Sequence, residues 1–292
     1  MAQKCDRLIV AGSAAEAVAA KLEQPEARFL SGGTSMFADV GPAGDLRVTL
    51  ISLRKVPELT GITPTSEGMD IGANTTAAEL LHNNDILHAS PLLARASRSL
   101  ATRQIRNRAT VGGNITTLRA DHTLAPALLA CEASVRVATA SGEQQIALSD
   151  YLQSMSAEQV STGLVTAISV KQVSGFTGFT RVGPRNGPCY SIVSMAVAVD
   201  QNQRKVRLAI GNAHRTAFRA TSAESIAEQA IDWEATQPDP KLCAAFGAEA
   251  ARECDPVTDV AASADYRRHA VGVMARRLLE EALHAGLRGG RK

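Results

Sequence analysis

The stretch Gln104-Ile105-Arg106-Asn107-Arg108-Ala109-Thr110-Val111-Gly112-Gly113-Asn114 decides how this chain is read. Its paired glycines stand beside Thr110 and Asn114, and a second pair lies upstream in Ser31-Gly32-Gly33-Thr34-Ser35. Glycine lets backbone N–H groups approach a phosphate oxygen with no Cβ in the way, and small hydroxyl or amide side chains add further donors. Either loop alone reads equally as a tight turn or a bulge. Neither is a Rossmann fingerprint, because G-x-G-x-x-G is absent, and neither is a Walker loop, because no G-K-[ST] follows. What lifts them above a turn is repetition. A strand, a helix and a donor-rich Gly-Gly turn occur twice, which points to two grips on one long ligand, and a dinucleotide has that length.

Composition narrows the class. The 292 residues are 45 % apolar and 21 % charged, as in an ordinary globular protein of one to three domains. A net charge of +2, with basic residues scattered and only 3 % aromatics, offers no nucleic-acid or membrane-binding stripe. Cys5, Cys131, Cys189, Cys243 and Cys254 form no C-x-x-C pair and no zinc spacing, so they read as structural thiols of a reducing cytoplasm. Lys4 and Arg7 precede an Ala-rich run, but Asp6 and Glu16 are wrong for a signal peptide. No stretch reaches the ~18 apolar residues of a membrane span.

Outward from the glycine loops the chain divides into 1–57, 58–173 and 174–292. The first part reads as a strand over 6–10, a helix over 14–22 opened by a Ser13–Glu16 capping box, and strands over 28–30 and 48–53. The second begins with a strand over 68–73. Helices follow over 76–82 (capped by Thr76 and Glu79), 92–100 and 124–130, then strands over 134–138 and 165–170. The third has strands over 176–182, 194–199 and 206–210, with a tight hairpin at Gln201-Asn202, and is helical from Ser222 onward. Its last helix carries Tyr266, Ala270, Val273, Met274, Leu278 and Ala282 on one stripe, with Arg267, Arg268, Arg276 and Arg277 off it. The tail, Gly289 to Lys292, reads as frayed. The fold class is α+β: two α/β subdomains and a C-terminal antiparallel sheet with helices on one face.

Three segments together, Leu30 to Ser35, Ile71-Gly72-Ala73-Asn74-Thr75-Thr76, and Gln104 to Asn114, resemble the FAD-binding (medium) subunit of the molybdenum hydroxylases, the xanthine dehydrogenase and carbon monoxide dehydrogenase family. The resemblance runs from about residue 6 to residue 285. It implies a vanillyl-alcohol-oxidase-type (PCMH-type) fold that clamps non-covalent FAD. It also implies a small [2Fe–2S] subunit and a large molybdopterin subunit as partners, in a dimer of heterotrimers. Electrons would pass from the iron–sulfur clusters to FAD and on to NAD, a quinone or oxygen. The chain lacks a four-cysteine cluster pattern of its own, so the clusters are expected on another polypeptide.

Residue roles carry over by the same resemblance. Leu30, Ser31, Gly32, Gly33, Thr34, Ser35 and Met36 would wrap the FAD pyrophosphate, and Thr110, Gly113 and Asn114 would make the second grip. Thr117 and Asp121 would serve the ribityl and adenosine portion, although Asp121 reads equally as a helix cap. Leu100, Ala101 and Leu164 fall where apolar groups pack on flavin or adenine. Arg181 falls at the pyrimidine edge of the ring, where a Lys is common, and Tyr190 stands where many relatives have Asp, over the isoalloxazine. The Gly- and Pro-rich run from Gly183 to Cys189 departs from the family pattern and leaves the electron acceptor open. Neither loop holds a His or Cys for covalent flavin, and His122 reads as a surface or helix-start histidine. A self-sufficient flavoenzyme and a flavin-free assembly chain stand as alternatives. The oxidised substrate is not readable, because in this family the molybdenum subunit selects it.

Overall fold

A computed structural model gives the fold over residues 5–40, 46–154, 163–184, 190–234 and 238–285. The first unit is a parallel sheet of β1 (Cys5–Val10), β2 (Arg28–Leu30) and β3 (Leu46–Ser52), in the order β1-β3-β2. Parallel neighbours need crossover connections. Here they are α1 (Ala14–Glu23) and α2 (Thr34–Val40). Ser13 caps α1 by accepting the Glu16 N–H at 3.1 Å. The reciprocal bond expected of a capping box lands one residue further back, on the Gly12 N–H at 2.7 Å. Ala17, Val18, Ile51, Leu53 and Leu59 form this unit's small core.

The second sheet is antiparallel. Its strands are β4 (Ile62–Pro64), β5 (Gly68–Gly72), β6 (Ser134–Thr139), β7 (Gly142–Ala147) and β8 (Leu164–Lys171), ordered β4-β5-β8-β6-β7. Between β5 and β6 lie six helices: α3 (Ala77–His82), α4 (Asn84–Ala89), α5 (Pro91–Ser99), α6 (Arg103–Arg106), α7 (Val111–Thr116) and α8 (Leu124–Ala130). A further helix, α9 (Leu148–Ser154), follows β7. Thr76 and Glu79 make both bonds of their capping box, at 3.1 and 2.6 Å. A new helix starts directly behind α3 because Asn83 caps it, accepting the Ile86 N–H at 2.9 Å. The stretch expected as one long glycine loop is instead two helical turns. Thr102 and Thr110 hold their N-cap positions, and the Thr110 hydroxyl accepts the Gly113 N–H at 3.2 Å.

The third sheet is antiparallel, ordered β12-β11-β10-β9, from β9 (Gly175–Val182), β10 (Val193–Asp200), β11 (Lys205–Gly211) and β12 (Phe218–Arg219). Helices α10 (Thr221–Ala230), α11 (Pro240–Arg252) and α12 (Ala264–His284) complete this unit. Alternation splits the strands cleanly. Met195, Val197, Val206 and Leu208 join the core made with these helices, whereas Ala196, Ala198 and Ala209 join the core of the second sheet, which includes α8. The tight hairpin expected at Gln201-Asn202 is a turn over 201–204, with Arg204 at φ 53° and the Asp200 carboxylate accepting the Gln203 N–H at 3.0 Å. Among the described residues no helix is long and apolar enough to cross a membrane. Residues 286–292, which include the tail read as frayed, lie outside them.

The buried face of α12 differs from the expected stripe. Ala270, Val271, Ala275, Leu278, Leu279, Ala282 and Leu283 are buried, but Tyr266 is exposed and Arg267 is among the largest fully buried side chains. Arg267 is interior because both terminal nitrogens of its guanidinium are engaged, although its buried Nε has no partner among the described residues. The two terminal nitrogens fork apart: Nη2 donates to both Asp259 oxygens at 2.7 Å, and Nη1 to the Ile192 and Asn212 carbonyls at 2.6 and 3.0 Å. Arg267→Ala is expected to cost about 3 kcal/mol, because it strands two buried carbonyls and empties the site. Arg267→Lys should recover only part of that loss, since an ammonium cannot fork. Urea denaturation of both variants ranks them.

Candidate functional site

The first and second units enclose a cleft of about 340 Å³. One wall is the continuous run Ala27 to Met36, which leaves β2 and turns into α2. The facing wall comes from Ala73 and Asn74, from Ala109, Thr110 and Gly112 to Asn114, and from Thr116 and Thr117. Lys21, Tyr151 and Gly163 to Val165 also line the cleft.

The two glycine segments touch, and they do different work. A Cβ on Gly32 would fall inside the Arg108 carbonyl, so that position needs glycine for close approach of two backbones. Gly33 needs it for conformation, at φ +74°. The first bond of α2 runs from the Phe37 N–H to Gly33 O at 3.0 Å, which leaves Thr34, Ser35 and Met36 with N–H groups that have no acceptor inside the helix. In the second segment every such donor is consumed. Val111 donates to Thr75 O, Gly112 to Ala73 O and Asn114 to Thr110 O, each at 2.9 Å, and Gly113 donates to the Thr110 hydroxyl. The second segment is therefore no free backbone nest. It presents side chains instead: the Thr110 hydroxyl, the Asn114 amide and the Thr117 hydroxyl.

A single file of hydrogen bonds joins the segments. The Asn74 amide donates to Leu53 O at 2.8 Å and accepts the Ser31 hydroxyl at 2.6 Å. Ser31 has then spent its only proton, so at 3.0 Å it accepts from the Thr110 hydroxyl, which in turn accepts from Gly113. Thr110 is buried, and Ser31 and Asn74 are half-buried.

Charged groups stand at and around the cleft, of which Lys21 and Arg28 line it. Lys21 is only 6 % exposed and donates to the Pro25 and Ala27 carbonyls, both at 2.6 Å. Burial draws its pKa down, with Glu26 opposing and Arg28 adding to the fall. Arg108 reaches across to Gly32 O at 3.4 Å. Arg119 ties α2 to the segment after α7, donating to Asp39 at 2.7 Å and to both Asp121 oxygens at 3.1 and 3.2 Å. Burial works to raise the Asp121 pKa, but the bonds and charge of Arg119 outweigh it and hold the carboxyl below its ordinary value. A cleft with unspent N–H groups at one turn and hydroxyl and amide side chains around it suits an elongated anionic ligand.

Of the residues singled out in the sequence, Leu30, Ser31, Gly32, Gly33, Thr34, Ser35, Met36, Thr110, Gly113, Asn114, Thr117 and Leu164 all line this cleft. Leu100, Ala101, Asp121, Arg181 and Tyr190 do not. Leu100 is buried in the second core, and the carboxylate of Asp121 is engaged by Arg119. Ala101 sits at φ 38° in a turn whose carbonyl, with that of Leu100, is held by Arg106 at 2.8 and 2.9 Å. The Tyr190 carbonyl accepts from Arg181 at 3.4 Å. Residues 185–189, in the Gly- and Pro-rich run, lie outside the described residues.

Sequence reading gave no role to Lys21, Asn74 or Tyr151, and it dismissed His122. Lys21 leaves one signal, a lysine one helical turn beyond Ala17 and Val18 on the buried face of α1. Among the described residues no cluster of His, Cys, Asp or Glu is placed to hold a metal. Cys131 is buried beside Ser90, and burial pushes its thiol up to about 11, which is where an inert structural cysteine belongs.

Comparison with known proteins agrees with this geometry. Residues 3–170 match the family described as the FAD binding domain in molybdopterin dehydrogenase, and residues 179–282 match the CO dehydrogenase flavoprotein C-terminal domain. The chain belongs to the FAD-binding medium subunits of the molybdenum hydroxylase family. It is 30 % identical over 266 residues to the 6-hydroxypseudooxynicotine dehydrogenase complex subunit alpha of Paenarthrobacter nicotinovorans, covering 89 % of this chain and 88 % of that one. It is 27 % identical to the glyceraldehyde dehydrogenase medium chain of Sulfolobus acidocaldarius, covering 87 % and 90 %. Its fold superimposes on a chain of carbon monoxide dehydrogenase from Hydrogenophaga pseudoflava with a TM-score of 0.86 at 25 % identity, over 98 % of this chain and all of the other. The protein is thus an oxidoreductase subunit whose cofactor is FAD.

The distinct demands on the two glycines can be separated. Gly33→Ala is expected to destabilise the chain by about 1–2 kcal/mol through its left-handed backbone. Gly32→Ala should cost more, since the Arg108 backbone must move away. Thermal unfolding of both variants in the absence of flavin checks the order.

Proposed function

We propose that this chain holds non-covalent FAD in the cleft and carries electrons out of a molybdenum-containing hydroxylase. The observation that carries the reading is the single-file bonding from Gly113 to Leu53, which brings the two glycine segments together as opposite walls of one site. On this reading the N–H groups and hydroxyls of Thr34 and Ser35 receive the pyrophosphate, with Leu30, Ser31, Gly32, Gly33 and Met36 shaping the turn around it. Thr110, Gly113, Asn114 and Thr117 form the second grip, and Leu164 packs on the flavin or adenine. Leu100, Ala101, Arg181 and Tyr190 serve the ring end, beyond the cleft. The Arg106 bonds preset the Ala101 turn, and the guanidinium of Arg181 would supply positive charge at the ring.

Bound FAD supplies the redox chemistry, accepting electrons from [2Fe–2S] clusters of a small subunit and passing them to NAD, a quinone or oxygen. The chain supplies binding, orientation and positive charge. A large molybdopterin subunit completes the assembly, as a dimer of heterotrimers in the cytoplasm, and selects the substrate. The relatives named above are medium chains or subunits of dehydrogenases, which supports a place within such a complex. The fold is of the PCMH type, with subdomains 1–57 and 58–173 around the cofactor and 174–292 as the C-terminal domain.

The purified chain should be yellow and release FAD on acid precipitation; a colourless protein that takes up no added FAD overturns the reading. Thr110→Val breaks the bonding file in the middle and should weaken FAD binding about tenfold, the equivalent of one buried hydrogen bond. Titration of flavin-free protein with FAD measures it.

A further inference from the structure

We infer that His122 couples the chain's hold on a diphosphate to a proton, so that FAD binding beside Ser35 draws a proton onto the His122 ring. The inference rests on the FAD reading above and adds to it a titrating residue that stands behind the cleft wall rather than on it.

The tautomer follows from the partners. His122 Nδ1 faces the Asn114 carbonyl and, at 2.9 Å, the Thr117 hydroxyl. A carbonyl only accepts, and Thr117 gives its own proton to Gly113 O at 3.2 Å, so Nδ1 carries a hydrogen in both protonation states of the ring. The other nitrogen, Nε2, faces the Ser35 hydroxyl at 3.3 Å. In the neutral ring Nε2 is an acceptor, so Ser35 directs its only proton at the histidine and turns lone pairs toward the cleft. That arrangement repels a phosphate oxygen. In the imidazolium Nε2–H donates to Ser35, the hydroxyl proton is released for the phosphate, and a positive charge stands one hydrogen bond behind the anion. Proton and diphosphate therefore favour each other, and the coupling is reciprocal.

The surroundings permit both states. Burial holds His122 below its ordinary value, with the Asn114 carbonyl, Asp121 and Asp39 opposing and Arg119 adding to the fall. The charged groups facing it are Asp39 from α2, and Arg119 and Asp121 from the segment between α7 and α8, whereas α7 contributes the uncharged Asn114 and, at its C-cap, Thr117. Arg119 bonds both carboxylates, leaving one net negative charge to accommodate an imidazolium. Since the protonated form binds better, affinity is greatest at low pH. It weakens as pH rises from the pKa of the free chain to the higher pKa of the complex.

The test uses the full chain freed of flavin and titrated with FAD, followed by quenching of flavin fluorescence, from about pH 5 to about pH 8. The wild-type dissociation constant should rise with pH, by up to roughly tenfold per unit inside the linkage window. Calorimetry at neutral pH in two buffers of different ionisation enthalpy should register proton uptake on binding. His122→Gln, which keeps hydrogen-bonding groups but cannot titrate, should bind with a flat pH profile. Equal slopes in wild type and His122→Gln, or no proton uptake by the wild type, overturn the inference while leaving the FAD reading intact. The calorimetric arm needs no variant, so it decides even if His122→Gln fails to fold. A wild-type chain that binds no FAD at any pH overturns the FAD reading itself, and the coupling with it.

Discussion

The architecture hangs on a file of hydrogen bonds four links long: Gly113 to Thr110, Thr110 to Ser31, Ser31 to Asn74, and Asn74 to the carbonyl of Leu53. Every hydroxyl in it both gives and receives, so the direction of each link is dictated by the one before. Such chains polarise along their length, and a partly satisfied one leaves polar groups stranded in a partly buried site. The file also explains the positions of its neighbours. It draws the Ser31–Gly33 turn against the Arg108–Ala109 backbone, where only a residue without a side chain fits. It holds α7 by its cap. It joins β3, which ends at Ser52, to the first turn after β5.

That constraint separates two glycine segments that look alike on paper. The Ser31–Ser35 segment enters α2 with unspent N–H groups on the cleft wall. The Thr110–Asn114 segment spends its N–H groups on Ala73, Thr75 and Thr110, and so serves as scaffold, offering side chains to the cleft. Similar composition yields opposite roles because the caps differ. Thr110 closes its own helix start, whereas the first helical bond of α2 begins at the carbonyl of Gly33.

Much of this was readable before the fold was seen, wherever the signal was local. The Thr76–Glu79 capping box and the alternation in β6 depend on near neighbours, and twelve of the seventeen singled-out site residues line one cleft. The failures have physical causes. β7 reads Gly-Glu-Gln-Gln-Ile-Ala and lies at a sheet edge, mostly exposed, so it carries no alternation to detect. Helix α4 was missed because Asn83 ends one helix and caps the next. The face of α12 was drawn wrongly because a charged residue was assigned to solvent, and Arg267 is buried only by virtue of Asp259 and two distant carbonyls. Lys21 and His122 are of the same kind. Their roles depend on partners such as Ala27 and Ser35, brought near by folding, and no pattern in the chain announces them.

The alanines of β10 and β11 have one more consequence. Ala196, Ala198 and Ala209 pack with Ala125, Ala127 and Ala130 of α8 in one core, while the residues between them fill another. Small side chains on both sides bring helix and sheet close and leave little room for sliding. Arg207 of β11, itself buried, adds a tether across the same seam, reaching the half-buried Glu132 at 2.9 Å. The seam is a weld rather than a hinge. Anything bound in the cleft is thereby held at a fixed distance from the surface of the C-terminal unit, so for the electron-carrying role proposed above that distance is built into the fold rather than set by motion.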